Sequence, residues 1–386
     1  MIYILITLLP MTVCLFWTLI ICIDWHLQRS TAKLRLAVFS SAATLLYVCH
    51  FIYFNHKYDA LPVSDTLYCT ANLSVYPLFY LYIKQVTESQ WRLWRCVATL
   101  LPAIICGTTI AALYLMMTPE ETDFFTHKQL YDAHYIGNST LLRAQFVMHK
   151  TVKGIFAIQV PMVLILGYRK LKYFDEMVEN RYADTEERNT RTLRATMMVM
   201  LVVAVASFVV NIIGRSYFSY STLTLGIVSV IFSSLLFMLL YAGHKQDFTM
   251  KQLMEDDLIT VAKDEGKNVG QNKTIEQLKE DIARIMTEEK LYLKRDLLIS
   301  DLLLRLGTNR DYVYKAINLG MGMSFTEYVN RLRVEYAKEL MRTNPSAPTI
   351  DIYTHAGFTS QASFFRNFKL YAGVTPKTYL KHIEPT

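Results

Sequence analysis

The sequence predicts an all-α chain in two parts. About seven membrane-spanning helices come first, followed by a polar helical region with two helix-turn-helix units joined by a helix. Three observations predict it. Of 386 residues, 52% are hydrophobic, too many for an ordinary soluble protein of this length. The excess lies between Met1 and about Tyr241; from His244 onward charges recur every few positions and no run could cross a bilayer. The polar part twice repeats an apolar helix, a glycine turn and a second helix.

A spanning helix needs about 20 apolar residues, because in hydrocarbon the backbone must satisfy its own hydrogen bonds. Seven stretches qualify, at roughly 2–23, 36–54, 63–83, 97–117, 154–170, 195–213 and 222–242, the third and fifth interrupted by polar residues. Arg29, Lys33 and Arg35 follow the first; Lys84, Arg92 and Arg95 follow the third; Arg169, Lys170, Lys172, Arg181, Arg188, Arg191 and Arg194 follow the fifth. Basic loops stay in the cytoplasm, so Met1 is expected outside and the C-terminal region in the cytosol. The first stretch has no basic start and no small-residue cleavage site, which favours an anchor over a cleaved signal.

The external segment 118–143 holds Glu120, Glu121, Asp123, His127, Asp132 and His134 without paired ligand spacing, and reads as a solvated loop. Asn72, Gln159 and Asn211 fall within the spans, near Pro77 and Pro161, where they either line a pocket or bond helix to helix. Lys150 and Lys153 are expected to snorkel to the outer interface. Cysteines 14, 22, 49, 69, 96 and 106 all lie in or beside the apolar runs, which excludes a disulfide framework and a zinc module in the polar part. No metal and no cofactor is called for.

The organisation that follows is a membrane region over 1–243, a linker over 244–274 and a helical domain over 275–386. In that domain Ile275, Leu278, Ile282, Ile285 and Met286 share one helix face. The first helix-turn-helix has its turn at Gly307 and its second helix opening near Asn309; the other turns at Gly357 and reopens near Ser360. Ser300 and Thr349 are the expected N-caps of the leading helices, Asn309 and Ser360 of the following ones. Between the units, 325–341 carries Tyr328, Val329, Leu332, Tyr336, Leu340 and Met341 at helical spacing, until Asn344-Pro345 breaks it. Two helices fixed in this way suit successive major-groove segments of one DNA face.

Gly357-Phe358, Ser360, Phe364, Arg366, Phe368-Lys369, Gly373, Thr375-Pro376 and Tyr379 stand in the order and spacing of a known family. With Leu306-Gly307 and the run Gly322 to Met341, the region from Ser300 to Lys381 resembles the AraC/XylS-type DNA-binding domain. The chain departs from that pattern at Leu303 and Tyr353, where a small alanine is usual, at Tyr314, Lys315, Ile317 and Asn318, and at Leu380.

The resemblance implies double-stranded operator DNA as partner. By position in the motif, Asp311, Tyr314 and Lys315 on the first reading helix and Gln361, Ala362 and Arg366 on the second face the groove. Lysine and arginine donate to guanine, glutamine pairs adenine, aspartate accepts from cytosine and an alanine methyl meets thymine. Arg366 is equally placed for helix packing. Arg310, Lys369 and Lys377 are the expected phosphate contacts. Phe358, Phe364, Phe368 and Tyr379 read as core. Over 286–386 there are 14 Lys and Arg against 10 Asp and Glu, a modest surplus that suits one specific site bound by a homodimer.

Taken together, the residues imply a one-component regulator in the bacterial inner membrane. Its partners would be operator DNA, RNA polymerase, the lipid bilayer and a small-molecule or envelope signal. The alternative is a transporter or receptor whose helix-turn-helix domain is an accessory or protein-interaction module. No HExxH, GxxxxGK[ST] or GxSxG signature points to an enzyme.

Overall fold

A computed structural model describes residues 2–88, 93–131, 137–186, 188–213, 221–255 and 274–383. Most of the expected linker, 256–273, lies outside them, as do Asp132 and His134 and the side chain of Asn211. The chain forms two compact units, Met1–Lys172 with Thr190–Met250, and Tyr173–Asn189 with Lys251–Thr386. The second therefore takes in a segment from between the expected fifth and sixth spans.

The first unit is built from α1 (Ile2–Gln28), α2 (Thr31–Phe54), α3 (Leu61–Thr87), α4 (Leu93–Met116), the short α5 (Pro119–Phe124), α6 (Thr140–Glu179, to Lys172 in this unit), α7 (Arg191–Ile213) and α8 (Thr222–Lys245). Neighbours in sequence pack in space along α1, α2, α3 and α4, and α8 closes against α1 and α7. Leu36, Phe39, Phe79, Tyr82, Ile83, Leu239 and Leu240 fill the core, while Leu19, Ile105, Leu115, Ile158 and Ile227 stay exposed on the outer faces.

Five segments among the described residues are long and apolar enough to cross a membrane: Ile2–Gln28, Thr31–Phe54, Val97–Met116, Thr140–Glu179 and Thr222–Glu255. The expected seven are these five together with α3 and α7, which are helices at the positions of the third and sixth. In α3 the apolar run is broken by Ser64, Asp65, Thr66, Thr70, Asn72 and Ser74. The expected fifth span is the middle of the 40-residue α6.

Several local expectations change. The segment 118–143, expected as a solvated loop, opens with α5, whose Thr118 hydroxyl accepts from Glu121 N–H while the Glu121 carboxylate accepts from Thr118 N–H. Its His127 ring stacks on Tyr58 at 3.9 Å and pairs with Asp123 at 3.0 Å. Gln159 donates to the Leu73 carbonyl at 3.2 Å, bonding helix to helix. Asn72 lines a cavity of about 650 Å³ with Tyr47, Tyr76 and Phe156, and Lys150 and Lys153 also border it. Lys33, expected in a basic loop, is buried; it pairs with Asp247 at 2.8 Å and donates to the His244 carbonyl, putting a cation on the C-terminal end of α8.

In the second unit, α9 (Ile275–Glu288) begins with a capping box between Thr274 and Gln277 and buries Leu278, Ile282, Ile285 and Met286, whereas Ile275 is exposed. Then follow α10 (Ile299–Leu306), α11 (Arg310–Tyr314), α12 (Phe325–Thr343), α13 (Thr349–His355), α14 (Gln361–Ala372) and α15 (Pro376–Ile383). One core gathers α9, α10, α11 and the start of α12 around Leu302, Leu306, Val313, Ile317 and Phe325. The other gathers α12 to α15 around Met341, Ile352, Phe358, Phe364 and Phe368. The shared α12 contributes to both, which is how two short units become one body.

Candidate nucleic-acid interface

Each reading helix is set by a glycine turn and a capping side chain. After α10, Gly307 takes φ +59°, a conformation costly for any residue with a Cβ, and reverses the chain. Asn309 Oδ1 then accepts from Tyr312 N–H at 3.2 Å and starts α11. The helix widens into π-type winding over Lys315–Gly320, a departure found often at functional sites. In the second unit Gly357 has φ +83°, and a Cβ there would stand 2.7 Å from the Leu293 carbonyl oxygen. Ser360 Oγ accepts from Ser363 N–H at 3.1 Å and starts α14.

The leading helices are capped differently from expectation. Ser300 lies inside α10, whose N-cap is Leu298; the Asp301 carboxylate accepts from Leu298 N–H at 3.0 Å. Thr349 is the first residue of α13 and Pro348 precedes it as N-cap. In both cases the capping chemistry moved by one or two residues while the helix stayed in place.

Asp311, Tyr314 and Lys315 are exposed on the first reading helix, and Gln361, Ala362 and Arg366 on the second. Lys369 and Lys377 are exposed as well, and Arg310 is half-buried. Phe358, Phe364 and Phe368 are buried and meet edge to face, with 5.4 Å between ring centres from Phe364 to each of the others. Tyr379 packs its ring on Phe368, and its hydroxyl accepts from Arg342 Nε at 3.1 Å. Leu303 and Tyr353, where the family has a small residue, are absorbed into the two cores.

Sequence reasoning missed Arg333. It sits on α12, 1% exposed, and donates to the carbonyls of Tyr292 and Lys294, each at 2.7 Å. Burial draws its guanidinium down to about 10, with the charges of Asp184 and Asp296 acting the other way, so it stays a cation at neutral pH. It fastens the turn Leu291–Leu293, the same turn that closes over Gly357. An arginine within a helix otherwise rich in exposed charge gave no signal of burial.

Also missed was the segment Tyr173–Asn189. Ala183 N–H donates to the Leu297 carbonyl at 3.1 Å and Ile299 N–H to the Arg181 carbonyl at 2.9 Å, a two-stranded bridge just ahead of α10. Thr326 Oγ1 donates to the carbonyls of Glu179 (2.8 Å) and Tyr182, and Asn330 Nδ2 to that of Ala183 at 3.1 Å. The segment ends on the second reading helix. Ser360 Oγ donates to Glu186 Oε2 at 2.7 Å, and Arg366 Nη1 lies 3.3 Å from Glu186 Oε1. One carboxylate thus holds the cap of α14 and Arg366, one of the side chains expected to face the groove.

These features define a double helix-turn-helix module. Residues 302–382 match the family model described as a helix-turn-helix domain, and the module is of the AraC type. An uncharacterized HTH-type transcriptional regulator of Staphylococcus aureus (strain MSSA476) is 34% identical over 90 residues, 23% of this chain and 12% of that protein. The Msm operon regulatory protein of Streptococcus mutans serotype c is 28% identical over 86 residues, 22% of this chain and 31% of that protein. The chain therefore spans only a minor part of the length of these relatives. No solved structure matches it.

Proposed function

We propose that the chain is a membrane-embedded, one-component regulator of transcription that binds operator DNA through α11 and α14. The observation that carries this reading is the match over 302–382 to a helix-turn-helix domain, together with the exposure of the six side chains expected to face the groove. The names of the two relatives, a transcriptional regulator and an operon regulatory protein, support it. Asp311, Tyr314, Lys315, Gln361, Ala362 and Arg366 read bases, while Arg310, Lys369 and Lys377 hold phosphates. The domain 275–386 acts as a homodimer and meets RNA polymerase at the promoter.

The five apolar segments, with α3 and α7, form a seven-span region in the bacterial inner membrane. Its N-terminus lies outside and the DNA-binding domain in the cytoplasm, as the basic loops favour. Exposed leucines and isoleucines on the outer faces suit lipid contact. The contact of Glu186 with Ser360 and Arg366 is the regulated step: DNA and the loop compete for the same arginine. The signal acts on the helices α6 and α7 that flank this loop in sequence.

Crosslinking and immunoprecipitation of the full-length protein from cells, with Arg366→Ala as control, tests the reading. A few sharp genomic sites lost in the variant are expected. Enrichment equal to the control would overturn it and leave the helix-turn-helix pair as a protein-interaction module.

A further inference from the structure

We propose that Asp65, Cys69 and His149 form a binding site for a borderline-soft divalent metal ion of the zinc class, reached from the cavity of the first unit. Asp65 and Cys69 stand four residues apart on α3 and so share one helix face; His149 faces them from α6. One ligand atom of each lies within 4.8 Å of the other two. Asp65 and Cys69 are buried, and Cys69 and His149 line the cavity of about 650 Å³, which supplies a path to the site.

The hydrogen bonds around His149 call for a proton or a metal ion between its ring and Asp65. Nδ1 lies 2.8 Å from the backbone carbonyl of Gln145, a group that can only accept, so Nδ1 carries the proton. Nε2 lies 2.8 Å from Asp65 Oδ2, and Tyr114 donates its hydroxyl to that same oxygen at 2.9 Å. In the neutral imidazole, Nε2 would turn a lone pair on a carboxylate. Either a second proton or a metal ion has to stand between them.

The metal accounts for all three side chains at once. Nitrogen, sulfur and carboxylate oxygen together are the donor set of zinc-type ions and not of magnesium or calcium, which take oxygen alone. The surroundings fit as well. A ligating histidine ordinarily donates its other ring N–H to a carbonyl, and a ligating carboxylate is itself hydrogen-bonded, the parts played here by Gln145 and Tyr114. Bonds of about 2.0–2.3 Å set tetrahedral donors roughly 3.3–3.8 Å apart, so Asp65 and His149 part by less than about 1 Å on loading. Three protein donors leave a position open, the pattern of an exchangeable rather than a closed structural site.

This assignment deepens the regulator reading by giving the signal a chemistry, a metal ion, but its binding test involves no DNA. Full-length protein in detergent micelles is titrated with Co²⁺ as spectroscopic probe and with Zn²⁺ in competition. One equivalent of Co²⁺ with a thiolate-to-cobalt charge-transfer band, bleached by Zn²⁺, is the expected result. The band should disappear in Cys69→Ser, weaken at least tenfold in affinity in His149→Gln and persist in Cys22→Ser. Thermal melting of each apo variant reports whether it has folded, and the Cys22→Ser band shows that the preparation is competent. Absence of the band in wild type, or its survival in Cys69→Ser, would overturn the proposal and leave a protonated His149–Asp65 pair. Failure of this titration leaves the genomic crosslinking result untouched, and the reverse holds too.

Discussion

Replacing Glu186 should strengthen DNA binding. Its carboxylate accepts from Ser360 Oγ at 2.7 Å and pairs with Arg366 Nη1 at 3.3 Å, and DNA that uses Arg366 for a base must displace it. The Arg366 side chain is 44% exposed and that of Glu186 29%, so the ion pair belongs among partly screened surface pairs of about 0.2–1 kcal/mol. A hydroxyl-to-carboxylate bond adds a net of about 1 kcal/mol. Removing both therefore lowers the barrier to DNA by about 1–2 kcal/mol, a five- to thirty-fold gain in affinity at 1.4 kcal/mol per tenfold. Glu186→Ala should show the whole gain. Glu186→Gln, which keeps an acceptor for Ser360 and loses the charge, should show about a third of it in free energy. The loop itself stays docked in both, because its backbone is held by Thr326, Asn330 and the bridge to Leu297 and Ile299. Fluorescence anisotropy of the full-length protein on fragments recovered by crosslinking, at one fixed ionic strength, measures the change. Equal or weaker binding by Glu186→Ala would refute the competition and make the contact a plain helix cap.

Lys315→Ala and Arg366→Ala should each weaken specific binding by about 1–3 kcal/mol while leaving binding to random duplex nearly unchanged; the same anisotropy assay on both DNAs separates the two. Lys369→Ala should instead lower affinity for every sequence alike and flatten the dependence on salt by about one counterion. Arg333→Met should destabilise the second unit by about 3 kcal/mol, because it leaves the buried carbonyls of Tyr292 and Lys294 without donors; urea unfolding followed by tyrosine fluorescence reads this. Gly357→Ala combines a left-handed backbone with a Cβ 2.7 Å from the Leu293 carbonyl, and should cost about 2–4 kcal/mol in the same assay.

The local order of the second unit was legible in the sequence because it rests on strong, short-range signals. Glycine with positive φ, Asn309 and Ser360 as caps, and apolar residues at helical spacing each act within a few residues. The caps at Ser300 and Thr349 were misplaced because other groups satisfied the helix starts: the Asp301 carboxylate in one case, a helix opening directly after Pro348 in the other. What stayed hidden depends on contacts far apart in the chain. Arg333 meets carbonyls about 40 residues away, Glu186 meets a serine 174 residues on, and His149 meets an aspartate 84 residues back. No periodicity records such pairs. The apolar helices divide in the same way: α1 and α8 announce themselves by composition alone, whereas α3 carries polar residues met inside the first unit, Thr66, Thr70 and Ser74 by its own backbone carbonyls and Asp65 by Tyr114 and His149.

On the proposed function, each reading helix has its own neighbour through which its setting would change. For α14 it is the loop carboxylate of Glu186, which acts on a side chain and on the cap at once. For α11 it is α9, whose buried Leu278 and Ile282 share one core with Val313 and Ile317. The two inputs differ in kind. The first is electrostatic, partly exposed and weak enough for DNA to displace; the second is packing, which tolerates little displacement and so fixes a geometry rather than a balance. A regulator with one graded and one rigid half would hold its operator register through α11 and adjust its affinity through α14. On that proposal the segment carrying Glu186 would be held in place by its bonds to Thr326, Asn330, Leu297 and Ile299, leaving the Glu186 carboxylate to exchange between Arg366 and solvent.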